Sequence, residues 1–134
     1  MSQLHFQPIQ GKALEIIDAI LQTEEVATVG DMLGTIRLMT EELVVNIVDY
    51  AYPDGVNDYL DVDIERDEEH IKLCFRDGGV PFNPPSNETP DLSLPMEERR
   101  IGGLGIYLVV KKMDEVTYEY KDGENMLSVT KRLN

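Results

Sequence analysis

The sequence predicts an α+β fold, a two-layer sandwich in which helices cover one face of a mixed, mostly antiparallel sheet. Three observations lead to this fold class. A short alternating segment opens the chain, and two segments with helical periodicity follow it. Alternating segments then predict one hairpin in the middle of the chain and another at its end. Helices grouped against hairpin-linked strands are typical of this class.

The first predicted elements are a strand and a helix. Alternation predicts the strand over 2–6, and helical spacing of apolar residues predicts the helix over 12–25. The segment 27–31 contains a glycine and an aspartate and predicts a break, in which Asp31 can cap the helix that follows. The predicted core face of the first helix consists of Leu14, Ile17, Ile20 and Leu21.

The longest periodic segment predicts a helix from Met32 to Tyr52, which Pro53-Asp54-Gly55 ends. Its apolar positions recur at steps of three and four, as in a helix packed on a core. These positions are Ile36, Met39, Leu43 and Ile47. A neighbouring stripe on the same helix consists of Leu38, Glu42, Asn46 and Asp49.

The remaining elements are two hairpins with a long loop and a helix between them. Alternation predicts strands over 60–65 and 71–75, joined by a turn at 67–70. Residues 77–100 contain five prolines and few core residues, and loops of this length are commonly functional lids. The helix after this loop has a predicted buried face of Ile106, Val109, Val110 and Met113. The closing strands contain Val116, Tyr118 and Tyr120, then Leu127 and Val129, and Asp122-Gly123-Glu124-Asn125 joins them as a turn.

Composition restricts the class of protein. The chain has 134 residues and a formal net charge of −14, so we expect one domain over 1–134 and no nucleic-acid or membrane-surface role. The single cysteine, Cys74, excludes a disulfide framework within the chain, and His5 and His70 make a poor metal cluster. We expect a cytoplasmic protein, because the sequence contains neither a membrane-spanning run nor a signal peptide pattern.

Glu42 and Asn46 lie one helical turn apart on the polar stripe and are therefore neighbours. An asparagine oxygen suits a hard cation such as Mg²⁺, and a glutamate one turn away could deprotonate an attacking hydroxyl. The pair taken alone is more typical of an ordinary polar stripe on an exposed helix face.

Asp77-Gly78-Gly79 ends the apolar strand that contains Phe75. A carboxylate there can accept a hydrogen bond from an exocyclic amine such as that of adenine, and glycine allows a ring to approach closely. The alternative is an ordinary strand-ending turn, because Asp-Gly is a frequent turn dipeptide.

Gly102-Gly103-Leu104-Gly105 opens the predicted helix after the loop. Backbone N–H groups at a helix start form a phosphate site, and glycine lets the chain come close. No Gly-Lys-Ser/Thr sequence occurs in the chain, which excludes a Walker loop.

The three features in this order resemble the ATP-binding fold known as the GHKL or Bergerat fold. The most similar branch is the anti-sigma-factor serine/threonine kinase family, the RsbW-like proteins. Four segments over about 30–134 carry the resemblance: TEELVVNIVDYAY at 40–52 (N box), FRDGGVPFNP at 75–84 (G1 box), ERRIGGLGIYLVVKKMDEVTYEY at 98–120 (G2 box with its helix and the next strand) and GENMLSVTKRL at 123–133 (last strand).

The resemblance implies a Mg²⁺-dependent ATP-binding protein kinase and assigns roles to residues. Glu42 matches the catalytic base, Asn46 the Mg²⁺ ligand and Asp77 the adenine-binding carboxylate, with Gly79 beside the base. Residues 83–101 match the ATP lid. The phosphate side is matched by Gly103, Leu104 and Gly105, with Arg100 and its neighbour Arg99 as candidate γ-phosphate contacts.

The implied substrate is a serine on a STAS-domain anti-sigma antagonist, and the implied second partner is a sigma factor. Members of the family often pair as homodimers, and the sequence leaves this open for the present chain. Tyr50 stands where the family commonly has histidine, and Asp49 where it commonly has a basic residue. These departures keep a non-catalytic, nucleotide-binding switch protein as the alternative. A fragment of a sensor histidine kinase would carry its phospho-acceptor on a dimerisation helix, and neither His5 nor His70 lies on a predicted helix.

Overall fold

The computed structural model describes residues 1–9, 11–50, 59–80 and 111–133. Five strands and three α-helices lie wholly in these ranges, together with a 3₁₀ turn at Gly30–Met32, and residues 111–112 are also helical. The strands are β1 (Ser2–Phe6), β2 (Leu60–Arg66), β3 (His70–Asp77), β4 (Glu115–Lys121) and β5 (Glu124–Arg132), and the helices are α1 (Ala13–Leu21), α2 (Glu24–Ala27) and α3 (Leu33–Tyr50).

The strands form one sheet in the order β1-β2-β3-β5-β4, and each of its four pairings in the described ranges is antiparallel. β3 therefore lies at the centre, between β2 and β5. The predicted α+β sandwich with a mostly antiparallel sheet is confirmed. So are the predicted strand over 2–6 and both predicted hairpins.

The core lies between one face of this sheet and the helices. Alternation places every second side chain of the central strands on the buried face, as the period of a strand requires. α1 packs against α3. Burial of each large apolar side chain contributes about 1.5–3 kcal/mol. The buried residues include Ile20, Ile36, Met39, Leu43 and Val44 from the helices, and Leu60, Val62, Ile64, Ile71, Leu73, Phe75 and Val129 from the sheet.

The first helix differs from its prediction in length and in one core position. It ends at Leu21, because Thr23 is extended (ψ 149°) and its hydroxyl donates to the Ile20 carbonyl oxygen at 2.8 Å. Leu14 is 75% exposed, and Ile16 is buried in its place. The apolar residues of α1 could form either of two neighbouring helical faces. Packing against α3 buries the face that contains Ile16 and Ile20.

The break before α3 is present, but Asp31 does not take the predicted capping position. It lies inside the 3₁₀ turn, and α3 begins at Leu33. The predicted core face of α3 is confirmed for Ile36, Met39 and Leu43, which are buried, and Ile47 packs against the core while partly exposed. The predicted stop at 53–55 lies outside the described residues.

Two further predictions fall outside those ranges: the ATP lid at 83–101, and the helix start at 102–105 with Ile106, Val109 and Val110. The last predicted core residue of that helix, Met113, is buried. In the part of the chain that the structure describes, no helix combines the length and apolarity needed to cross a bilayer.

Candidate functional site

β3 ends in a buried carboxylate. The alternation that buries Ile71, Leu73 and Phe75 continues to Asp77, which is only 5% exposed. Its Oδ1 accepts a hydrogen bond from the Gly79 backbone N–H at 2.9 Å and another from Asn125 Nδ2 at 3.0 Å. The first of these bonds closes an Asx turn, so the strand-ending turn and the buried carboxylate are the same feature.

The second oxygen of Asp77 remains an acceptor. Among the residues that the structure describes, the hydrogen bonds to this side chain all reach Oδ1. Burial raises the pKa of Asp77, and the charge of Glu124 raises it further, while the hydrogen bonds from Asn125 and Gly79 act in the opposite direction. A buried carboxylate oxygen of this kind gains by accepting an N–H donor from a ligand.

The first glycine after Asp77 makes room for a ring, but the ring belongs to the protein. A Cβ on Gly78 would lie 2.9 Å from Cε1 of Tyr59, a distance that real Cβ contacts do not adopt. The Tyr59 hydroxyl donates to Glu124 Oε2 at 2.5 Å. Gly78 therefore lets Tyr59 lie against the strand end, where its hydroxyl bridges to the first residue of β5.

Asn125 bonds directly to Asp77 of the candidate site, and the sequence patterns do not predict this contact. It was predicted in the turn 122–125, but it lies in β5, is 5% exposed and stands directly opposite Asp77 in the β3–β5 register. The turn itself is shorter, with positive φ at Asp122 (55°) and Gly123 (78°), as in a two-residue type I′ hairpin. An asparagine at an inward position of an alternating strand is the signal that could have revealed it.

Asn125 joins three segments through its side-chain amide. Besides Asp77, Nδ2 donates to the Val80 carbonyl oxygen at 2.8 Å and approaches the Gly79 carbonyl oxygen at 3.4 Å. Its Oδ1 accepts a hydrogen bond from the Tyr118 hydroxyl of β4 at 2.5 Å. The amide thus links β4 and β5 to the end of β3 and to the two residues that come after Gly78.

α3 carries the predicted polar pair. Asn46 is buried, at 4% exposure, and its Nδ2 donates to the Glu42 carbonyl oxygen at 2.6 Å. This bond uses the amide donor and leaves Oδ1, which is the atom that a metal ion would bind. Burial raises the pKa of the Glu42 carboxyl, and the charge of Glu41 adds to that shift.

Glu41 has a different environment although it is adjacent in sequence. Its Oε1 accepts from Arg37 Nε at 2.9 Å, one turn earlier on the exposed face, and the Glu41 side chain is 41% exposed. Successive helical positions are about 100° apart, so the two glutamates lie on different faces. The raised pKa of the Glu42 carboxyl suits a general base.

The described residues suit a Mg²⁺ ion that binds together with a phosphate ligand, and they suit less well a metal ion held by protein side chains alone. They contain no group of three or more His, Cys, Asp or Glu side chains arranged to hold a metal ion. Asn46 Oδ1 is a neutral oxygen that could serve as one ligand, since Mg²⁺ is commonly bound through one or two protein oxygens together with phosphate oxygens and water.

The structure thus assembles two local groups of predicted site residues, Glu42 with Asn46 and Asp77 with Gly79. Within the described ranges, no hydrogen bond or ion pair joins the two groups. The other predicted site residues, namely Arg100, Gly103, Leu104 and Gly105, lie outside those ranges, as do Arg99 and residues 83–101.

Comparison with known proteins gives the same family. A family model described as "Histidine kinase-like ATPase domain" matches residues 10–131. Serine/threonine-protein kinase BtrW of Bordetella bronchiseptica is 26% identical over 96 residues, which cover 72% of this chain and 68% of that protein. Serine-protein kinase RsbW of Staphylococcus aureus is 30% identical over 106 residues, covering 75% and 66%. Serine-protein kinase RsbW of Bacillus mycoides is 26% identical over 101 residues, covering 72% and 62%.

These matches confirm the resemblance to RsbW-like serine kinases that was inferred from the boxes at 40–52, 75–84 and 98–120. The matched part of each relative amounts to about two thirds of its length.

Proposed function

The chain belongs to the histidine kinase-like ATPase domain family, and on that premise we propose that it is a Mg²⁺-dependent serine/threonine protein kinase of the anti-sigma-factor type. Its proposed protein substrate is a serine on a STAS-domain antagonist, and its proposed second partner is a sigma factor. The names of the relatives, protein kinases at 26–30% identity, support this choice over other members of the family.

The observation that carries the proposal is the state of Asp77. A buried carboxylate with a raised pKa is costly to the fold, and only one of its oxygens is bonded by described residues. Oδ2 would accept the exocyclic amine of adenine, which compensates for the lost solvation. Guanine has a carbonyl oxygen at the corresponding position, so the same carboxylate would disfavour GTP.

Glu42 and Asn46 are proposed to act at the phosphate end of the nucleotide. Asn46 would ligate Mg²⁺ through Oδ1, because its Nδ2 is already bonded to the Glu42 carbonyl oxygen. Mg²⁺ supplies neutralisation of phosphate charge. The Glu42 carboxylate would take the proton of the attacking serine hydroxyl, and its raised pKa makes it a stronger base for that step.

The rest of the site is proposed from the family resemblance. Gly103, Leu104 and Gly105 would bind phosphate oxygens with their backbone N–H groups, and Arg100 would contact the γ-phosphate. Residues 83–101 would cover the nucleotide as a lid. The proposed unit is one domain over 1–134 that acts in the cytoplasm.

The test is phosphate transfer. The protein is incubated with γ-labelled ATP, Mg²⁺ and each STAS-domain protein of its own cell, and label on the partner's serine is the expected result. Binding of ATP without transfer to any of these partners would contradict the kinase and favour a non-catalytic switch. Absence of ATP binding would contradict both.

A further inference from the structure

We propose that Tyr118 and Asn125 form a positioning pair that sets which oxygen of Asp77 is offered to the nucleotide base. The inference rests on the proposed function, because it concerns how Asp77 recognises an exocyclic amine. It adds two residues, from β4 and β5, that would determine the preference for adenine without touching the ligand.

The first step is the bonding of Asn125. Its Nδ2 faces the Asp77 carboxylate at 3.0 Å, the Val80 carbonyl at 2.8 Å and the Gly79 carbonyl at 3.4 Å. A carboxylate and two carbonyls cannot donate, so the amide nitrogen, and not the amide oxygen, must face them. Asn125 thereby occupies Asp77 Oδ1 and leaves Oδ2 for the ligand.

The second step is the role of Tyr118. Its hydroxyl donates to Asn125 Oδ1, the side of the amide that faces away from Asp77. Because Asn125 is buried, loss of this donor would remove a hydrogen bond that holds the amide in its present orientation. Hydrogen bonds in such a chain also strengthen one another, so the Tyr118 bond strengthens the bond to Asp77.

The charges around the carboxylate explain why positioning is needed. Burial and the nearby Glu124 both favour the protonated form of Asp77, and the bonds from Asn125 and Gly79 favour the ionised form. Glu124 is itself held by the Tyr59 hydroxyl. A weakened Asn125 bond would therefore raise the pKa of Asp77 and reduce its capacity as an acceptor.

The experiment compares two nucleotides in Tyr118→Phe and in a matched control. Tyr120→Phe removes a hydroxyl from the same face of the same strand, at a side chain that is 43% exposed. Affinities for ATP and for purine riboside triphosphate, which lacks the exocyclic amine, are measured by calorimetry. Tyr118→Phe should weaken ATP about three- to tenfold, the range of one neutral hydrogen bond, and leave the analogue unchanged. Tyr120→Phe should change neither.

Asn125→Asp provides a second, stronger arm, because it replaces the donor facing Asp77 by an acceptor of the same shape. It should weaken ATP about tenfold or more. NMR titration of the ligand-free protein should show the Asp77 pKa rising in both variants. If Asn125→Asp does not fold, the Tyr118→Phe titration still decides.

Three results would overturn the inference. The first is equal ATP affinity in Tyr118→Phe and Tyr120→Phe, and the second is an unmoved Asp77 pKa in a folded Tyr118→Phe protein. The third is an equal loss of both nucleotides, which indicates general damage to the site. Failure of the proposed function is distinguishable, because the parent protein would then bind no ATP.

Discussion

Asn46 donates its side-chain amide to the main-chain carbonyl oxygen of Glu42, 2.6 Å away and one turn earlier in α3. Both partners of this bond lie in α3, so the helix itself orients the Asn46 side chain. The bond engages the Nδ2 atom of the amide and does not involve its Oδ1 atom. A back-bond of this kind would hold the amide oxygen of a helical asparagine in a fixed position for a ligand.

Asp77→Asn should abolish selective adenine binding without damaging the fold. The new side chain keeps an oxygen to accept from Gly79 and Asn125, but it presents an N–H where Oδ2 was. The exocyclic amine then meets a donor, and ATP affinity should fall by about 1–3 kcal/mol. Calorimetric titration with ATP and GTP measures this, and unchanged ATP affinity in a folded variant would remove Asp77 from the site.

The pH dependence of this carboxyl should have opposite signs for stability and for binding. Because the folded-state pKa of Asp77 is raised, its favourable contribution to folding is present below its unfolded pKa and is lost as pH rises through the folded pKa. The free energy of unfolding of the parent, relative to that of Asp77→Asn, should therefore decrease as pH rises through that window. Adenosine affinity of the parent should increase across the same window, as Oδ2 becomes ionised.

Urea unfolding and adenosine titration over a pH series provide both curves, and adenosine avoids the charges of the phosphates. The groups that act on Asp77 are Glu124, Asn125 and Gly79, and of these only Glu124 carries a carboxyl group. Glu124→Gln should lower the pKa of Asp77 and shift both curves to lower pH. Parallel rather than opposite trends would contradict the assignment of Oδ2 as the acceptor.

Most of the fold could be predicted because periodicity is a local property of the sequence. The alternation of Leu60, Val62 and Ile64 and the helical spacing of Ile36 and Met39 each specify an element and a buried face. Leu14 shows the limit of such patterns. Ile16 and Leu14 are both apolar positions of α1, and only the orientation of α1 against α3 decides that Leu14 is 75% exposed.

The candidate site could be predicted where its residues are close in sequence, and not where the sheet brings them together. Glu42 with Asn46 and Asp77 with Gly79 are separated by one helical turn or one tight turn. Asn125 lies 48 positions from Asp77, and only the register of β3 with β5 makes them neighbours. The Asp122-Gly123 dipeptide predicts a turn, and this local pattern alone assigns the nearby Asn125 to the turn and not to the strand.

Asn46→Ala should remove the Mg²⁺-dependent part of nucleotide affinity and preserve adenosine affinity. The variant loses Oδ1 and the bond to the Glu42 carbonyl, and α3 tolerates that loss because alanine has the highest helix propensity. ATP and adenosine affinities with and without EDTA measure the effect. If the variant responds to EDTA as the parent does, Asn46 is not the ligand.

Glu42 and Glu41 provide a matched pair for separating catalysis from binding. Both are glutamates of the same helix, yet burial raises the pKa of Glu42 while Glu41 is paired with Arg37 at the surface. An exposed pair of this kind contributes about 0.3–0.5 kcal/mol, so Glu41→Gln should leave the protein folded. Glu42→Gln removes a raised-pKa carboxyl and should be at least as stable as the parent at neutral pH.

Glu42→Gln should therefore bind ATP as tightly as the parent, or more tightly because one negative charge near the phosphates is removed, and should lose phosphate transfer to the partner's serine. A general base contributes about 10²–10⁴-fold to rate and little to ground-state binding. Single-turnover transfer of γ-labelled phosphate at saturating ATP and Mg²⁺ measures the rate, and Glu41→Gln should retain it. Equal losses in the two variants would indicate a defect in partner docking, and full activity of Glu42→Gln would mean that another group accepts the proton.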